Sequence, residues 1–344
     1  MDTKIFEINP DDINYDDIKS AADIIKAGGN VAFPTETVYG LGAGIYHEEA
    51  LKNIFKAKKR PMDNPLIVHI SEKSEMEDIA EEITPCAKIL AEKFMPGPIT
   101  LVMKKKSCIS SVISAGLDTV AVRCPAHPIA NALIKAAGEP IAAPSANLSK
   151  KPSPTEAFHV INDMNGRIEA IISGGSCSAG VESTVVDVTG DFPVILRPGV
   201  ITYEDLTEVM PKTEIDKHVL KSVDADEIPK SPGMKYLHYS PEADVMVIEG
   251  EKESVKAEID RLLMENKGIK TGVLGYFNKE YDCDVVLSAG NTQEEYAHNL
   301  FSMLRRFDEL GVEKVFAEFR EEGGCGLAVQ NRLYKSAGYK VIHV

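Results

Sequence analysis

The chain has no CxxC pair, and its six cysteines (Cys86, Cys108, Cys124, Cys177, Cys283 and Cys325) are too scattered for a zinc site, which draws on closely spaced ligands. Reduced thiols in a cytoplasmic protein are the expectation. No apolar run reaches the ~18 residues of a membrane helix, and the opening MDTKIFEINPDD lacks the basic-then-apolar character of a secretion leader. Neither a membrane partner nor export is expected. Positive charge is scarce: 38 Lys and Arg stand against 53 Asp and Glu, for a net charge of −15. So acidic a chain is not built to coat nucleic acid, although a local basic site stays open. Three signatures are missing as well: the GxxxxGK[ST] phosphate loop, the GxGxxG dinucleotide fingerprint and the GxSxG nucleophile elbow. No Ser-His-Asp arrangement can be read from residue order. Tryptophan is absent too, which excludes nothing.

What is present is ordinary globular material, 44% hydrophobic and 26% charged, and 344 residues suggest two domains. Apolar spacing predicts helices over 15–27, 48–59, 74–81, 85–94, 127–137, 155–163 and 203–210. Strands are expected at 5–8, 31–33, 66–70, 99–103, 119–123, 141–143, 168–172, 183–188 and 194–196. Their order predicts an α/β domain with a mixed twisted sheet over residues 1–210. Prolines and charges then break the pattern over 211–241, a linker or lid. Residues 242–344 alternate strands and helices as a small parallel, Rossmann-like α/β domain.

Pro34-Thr35-Glu36-Thr37-Val38-Tyr39-Gly40-Leu41-Gly42 leaves a short apolar strand, where open α/β sheets bind ligands. Its glycines, with Gly44, read as a loop admitting close approach of another object. Lys52, Lys56, Lys58, Lys59 and Arg60 end a helix at Pro61, and read either as a solvated face or as a phosphate site in which Lys58 and Arg60 converge on one anion. Ser145, Asn147 and Ser153 follow another strand exit at Ala143. Arg123 and Arg197 each end an apolar strand, placed for internal pairing or for holding a carboxylate or phosphate. The Gly/Ser-rich turn 173–184 is of the sort that wraps an anion with backbone N–H groups. His69 reads as a satisfied core histidine or a functional one.

PTETVYGLG (34–42), KKRPMDNPL (58–66), MPGPIT (95–100), VAVRCP (120–125), APSANLS (143–149), STVVDV (183–188) and LRPG (196–199) stand in the order of one family. They resemble the YrdC-type threonylcarbamoyl-AMP synthases, and SPGMKYLHYSP (231–241) resembles the two-domain form. The resemblance implies a concave basic cavity and an enzyme that makes threonylcarbamoyl-AMP and pyrophosphate from L-threonine, bicarbonate and ATP. A separate tRNA threonylcarbamoyl transferase would then use the product to modify the adenosine next to the anticodon. It further implies Lys58 and Arg60 on phosphates. Asn64, Thr119, Ser145, Asn147, Ser153, Arg197, Tyr236 and Tyr239 fall on the ATP side. Arg123, Ser183, His69, Ala143 and a hydroxyl of Thr37 or Thr35 fall on the threonine side. Mg²⁺ would come with ATP. Tyr236 and Tyr239 are expected in a lid over the cavity. The competing readings are an RNA-binding module, with direct if weak RNA contact, and a nucleotide-binding regulator without turnover.

Overall fold

The computed structural model describes residues 2–220, 239–277 and 280–344. They fall into two compact units, divided as Met1–Ser149 with Ser153–Lys235 and Lys150–Pro152 with Tyr236–Val344.

The first unit is built on strands β1 Lys4–Glu7, β2 Val31–Phe33, β3 Gly40–Gly44, β4 Ile67–His69, β5 Ile99–Lys104, β6 Thr119–Arg123, β7 Ile141–Ala143, β8 Ala170–Ser173, β9 Thr184–Asp187, β10 Val194–Arg197 and β11 Glu214–Ile215. They form an 11-stranded sheet in the order β1-β8-β2-β3-β7-β4-β6-β5-β9-β10-β11. Its pairing is mixed, β4 running parallel to β6 but antiparallel to β7. Helix α1 Tyr15–Lys26 is capped by the Asn14 side chain and buries Ile18, Ala21, Ala22 and Ile25. Helix α2 Glu48–Lys58 buries Leu51, Ile54 and Phe55. It stops before Pro61 is reached, because Lys59 turns left-handed (φ 53°) and the Arg60 N–H closes back on the Phe55 carbonyl at 2.9 Å. Lys58 and Arg60 thus leave a closed helix end instead of continuing one helical face.

Two expectations change. The helix over 74–81 is a short 3₁₀ turn, Lys73–Glu75, followed by one α-turn, Met76–Ile79. The start of the expected linker belongs to the first unit, since β11 pairs with β10 and Val219 is buried. A third correction concerns Gly40, Gly42 and Gly44, read above as ligand-facing loop. They are strand β3, paired antiparallel with β2. Alternate residues of a strand share one face, and on that face a Cβ at Gly42 would stand 2.5 Å from Ile141 Cγ2 and 2.8 Å from the Phe33 ring, while one at Gly44 would stand 2.6 Å from the Glu139 carboxyl. The glycines make room for core side chains, not for substrate.

The second unit is a five-stranded sheet of β12 Asp244–Glu249, β13 Thr271–Gly275, β14 Val285–Ser288, β15 Lys314–Phe319 and β16 Val341–His343, in the order β14-β13-β15-β12-β16. All its pairings are parallel. The last strand escaped the sequence reading because it is three residues long and only partly buried.

Gly42→Ala is expected to destabilise the first unit by about 1–3 kcal/mol, the usual range for overpacking a filled core. Urea unfolding measures it; an unchanged midpoint would remove the packing account of these glycines.

Candidate active site

Strand register assembles the site. His69 pairs with Arg123, Leu101 with Val122, Thr100 with Val185, and Val185 with Arg197. The Leu101–Val122 pairing sets Thr100 beside Arg123, so His69, Arg123, Thr100, Val185 and Arg197 form one row across five strands and face the same way. On the same face Ile67, Val102, Ala121 and Leu196 cluster with Val185 as an apolar floor beside the row. Ala143, paired with Ile67, extends that floor on β7.

Arg123 is 3% exposed. Its Nη1 donates to Thr37 Oγ1 at 2.8 Å, and its Nη2 lies 2.7 Å from Glu36 Oε1. Nε and Nη2, which share one edge of the guanidinium, are buried with no aligned acceptor. Burial alone would raise the Glu36 carboxyl, but the charge of Arg123 holds it below the usual carboxylate range. The two threonines of the loop are bonded differently, their hydroxyls lying 2.8 Å from each other. Thr35 Oγ1 is spent locally: it donates to the Val38 carbonyl at 2.7 Å and receives the Thr37 N–H at 3.1 Å. Thr37 is the one that reaches Arg123. His69, 4% exposed, has Nδ1 3.0 Å from the Ile67 carbonyl and meets Phe33 edge-on at 6.0 Å. Burial, helped by Arg123, pushes its pKa down to about 3, so the ring is neutral.

Further along the row, Arg197 Nε and Nη2 donate to the Ser183 carbonyl at 3.1 and 3.0 Å, and Nη2 also reaches Ser183 Oγ at 3.2 Å. Ser183 Oγ in turn lies 2.7 Å from Thr100 Oγ1. Ser153 Oγ donates to buried Glu182 at 2.5 Å. A second cluster gathers where β7 leaves the sheet. Lys58, 2% exposed, donates from Nζ to the carbonyls of Ser145 and Asn147, the latter at 2.6 Å. Ser145 Oγ bonds Asn147 Oδ1 at 2.5 Å. Arg60 Nη2 donates to the Asn64 and Pro65 carbonyls at 3.1 and 3.2 Å, and Asn64 Oδ1 is buried without a partner. Thr119 begins β6 at this end, ~13 Å from Arg123 at 3.2–3.4 Å per residue. Lys58 and Arg60, expected to converge on one anion, donate here to two different backbone segments.

Comparison with known proteins places the chain in a family. The family model described as "Telomere recombination", covering Sua5, YciO and YrdC, matches residues 23–199, and that described as "Threonylcarbamoyl-AMP synthase, C-terminal domain" matches residues 201–338. The chain belongs to the Sua5/YciO/YrdC family. It is 52% identical to a threonylcarbamoyl-AMP synthase of Pyrococcus abyssi over 95% of this chain and 96% of that one. It is 46% identical to one of Bacillus subtilis over 96% and 95%. The crystal structure of P. abyssi Sua5 complexed with L-threonine matches with a TM-score of 0.95 at 50% identity, covering 99% of this chain and all (100%) of the other. Two domains in this order are the two-domain form of the family.

Several expected residues fall elsewhere. Tyr236 lies outside the described residues, as does most of the expected lid. Tyr239 is buried in the second unit, stacked on Phe301 at 5.1 Å with the Arg332 guanidinium 5.8 Å from its ring; it is a packed core aromatic and not a loose lid residue. The 173–184 turn spends several of its N–H groups on the protein. Cys177 donates to the Thr155 carbonyl and Ala179 to that of Glu36, both at 2.8 Å, while Tyr39 Oη receives the Gly174 N–H at 3.1 Å. These bonds make the turn a brace for the 34–39 loop. The sequence reading passed over Glu36, Thr100 and Glu182. Glu36 stood inside the opening motif, but its partner lies on a strand remote in sequence. Among the described residues no group of three His, Cys, Asp or Glu is placed to hold a metal, and no helix is long and apolar enough to cross a membrane.

His69 protonates below its unfolded range, so its neutral burial stabilises the fold above pH 6.5 and that contribution is lost as pH falls toward 3. His127, lowered chiefly by burial, acts in the same direction. His69→Gln is expected to flatten unfolding free energy against pH between about 6.5 and 4.5, by up to ~1.4 kcal/mol per pH unit. Urea titrations at stepped pH would expose an unaltered slope, and with it a charged or exposed ring.

Proposed function

We propose that the chain is an L-threonylcarbamoyladenylate synthase, forming threonylcarbamoyl-AMP and pyrophosphate from L-threonine, bicarbonate or CO₂, and ATP. The observation that carries this reading is the buried Arg123 edge without aligned acceptors, beside Thr37 and neutral His69. Orphaned buried donors cost about 1–3 kcal/mol each unless a ligand completes them, and a carboxylate matches a guanidinium edge in bidentate geometry.

In this reading the threonine carboxylate binds Nε and Nη2 of Arg123, with Ser183, His69 and Ala143 as neighbours. The amine, once neutral, adds to CO₂ to give a carbamate and releases a proton. A carbamate oxygen then attacks the α-phosphorus of ATP, and pyrophosphate departs with the electron pair of the broken P–O bond. No protein nucleophile is needed; the residues position three reactants and balance the triphosphate charge. The Ser145–Asn147 turn, held by Lys58, and Asn64, Thr119, Ser153 and Arg197 serve the nucleotide. Magnesium fits as an ion carried in by phosphate oxygens, since no cage of protein ligands stands among the described residues. It supplies neutralisation of phosphate charge. The product passes to a tRNA threonylcarbamoyl transferase in the cytoplasm. RNA fits less well as the direct ligand, because Arg123 and Arg197 are 3% and 5% exposed, whereas RNA recognition draws on an open basic surface with stacking aromatics.

Pyrophosphate release from ATP should require both L-threonine and bicarbonate; equal release without threonine rejects the synthase and leaves a simple ATP-hydrolysing or regulatory protein. Lys58→Ala and Arg60→Ala should each lower turnover at least ~100-fold, on the scale of ~3 kcal/mol of transition-state stabilisation. Near-parental rates in both variants would overturn their assignment to the reaction.

A further inference from the structure

Glu36 has no part in the reaction just described, yet it is buried against the group that binds the substrate. The side chains of Arg123 and Glu36 are 4% and 14% exposed, with Nη2 and Oε1 2.7 Å apart. The backbone of Glu36 is pinned, its carbonyl accepting from the Ala179 N–H at 2.8 Å and Ser178 Oγ at 3.3 Å. A subsite made only to attract an anion gains nothing from this neighbour, since a carboxylate beside the guanidinium offsets its pull on any negative ligand. Nor does the pair have the form of a purely structural bridge. Buried ion pairs persist when their remaining hydrogen-bonding capacity is met. Here Nε has no acceptor, Nη2 has only the poorly aligned Glu36 carboxylate at 2.7 Å, and the Glu36 oxygens, which lie by the backbone N–H groups of Glu36 and Ala126, make no well-aligned hydrogen bond. The two orphaned halves are complementary to a ligand that offers an acceptor and a donor one bond apart from the same carbon, as an α-amino acid does with its carboxylate and ammonium.

We infer that Glu36 is the specificity-determining residue of this subsite: it receives the α-ammonium of the amino acid while Arg123 receives its carboxylate, and it turns away anions that lack the amine. This rests on the assignment of threonine to Arg123. A neutral pair matched to a neutral zwitterion also keeps the guanidinium from being occupied by phosphate-bearing ligands in a site that handles ATP and pyrophosphate.

The test compares binding of L-threonine and of 2,3-dihydroxybutanoate, the hydroxy acid with threonine's shape but no amine, to the full chain and to Glu36→Gln, by calorimetry and by inhibition of pyrophosphate release. The parent is expected to favour threonine strongly. In Glu36→Gln the ratio of the two affinities should fall at least ~10-fold, threonine weakening and the hydroxy acid and inorganic pyrophosphate strengthening. A ratio preserved within about 2-fold overturns the inference. Should the glutamine variant fail to fold, Glu36→Asp, which keeps the charge but withdraws it by one methylene, must weaken threonine more than the hydroxy acid; equal losses overturn the inference too. Arg123→Ala separates this from the underlying assignment: unchanged threonine affinity there would remove the subsite itself, whatever Glu36 does.

Discussion

The first unit's chemistry hangs on one buried guanidinium. Arg123 ends an apolar strand, and a buried cation there is costly unless an opposite charge and hydrogen-bond partners lie against it. Thr37 meets one and Glu36 lies against another. Both come from a loop that is itself fastened by the Thr35 hydroxyl, the Tyr39 phenol and the 173–184 turn. The loop's shape and the arginine's orientation are therefore one problem with one solution. His69 belongs to it as well, for a protonated imidazole beside Arg123 would add a second buried positive charge. Its neutrality follows from the same burial that confines the arginine.

Around that centre the sheet separates two tasks. The register row carries His69, Arg123, Thr100 and Arg197, while Lys58, Ser145 and Asn147 gather where β7 leaves the sheet. Small side chains, Ala121, Val102 and Ala143, floor the space between. A sheet can hold two such groups apart without loops of its own, because strand length fixes their separation and register fixes which side chains share a face.

Strand ends and the polar loops that follow them were legible in the sequence, because apolar runs closed by Pro, Gly or Arg have few other structural meanings. Arg123, Arg197, Ser145 and Thr37 were picked out in that way. Pairings were not legible. That Thr37 and Glu36 stand beside Arg123 depends on residues 86 positions apart or more. The glycines of β3 were misread for a related reason. Gly at alternate positions looks like a flexible loop until Phe33, Ile141 and Glu139 are seen above it. The Lys58–Arg60 pair was placed at a helix end correctly, but the left-handed residue between them that closes the helix was not legible.

Charge balance reconciles an acidic chain with a polyanionic cosubstrate. The net charge of −15 is spread over the whole sequence, and exposed charges beyond ~10 Å are screened by salt. What a ligand meets in the site is the short list of buried cations, each with a different companion. Lys58 is surrounded by carbonyl oxygens, Arg197 by a serine, and Arg123 by a threonine and a carboxylate. A carbonyl or hydroxyl companion does not cancel a cation's charge, whereas a carboxylate such as Glu36 cancels much of it. Companion identity, more than the number of cations, sorts one part of such a site for a polyanion and another for a zwitterion. That sorting is what a reaction joining an amino acid to a nucleotide demands before any bond is made.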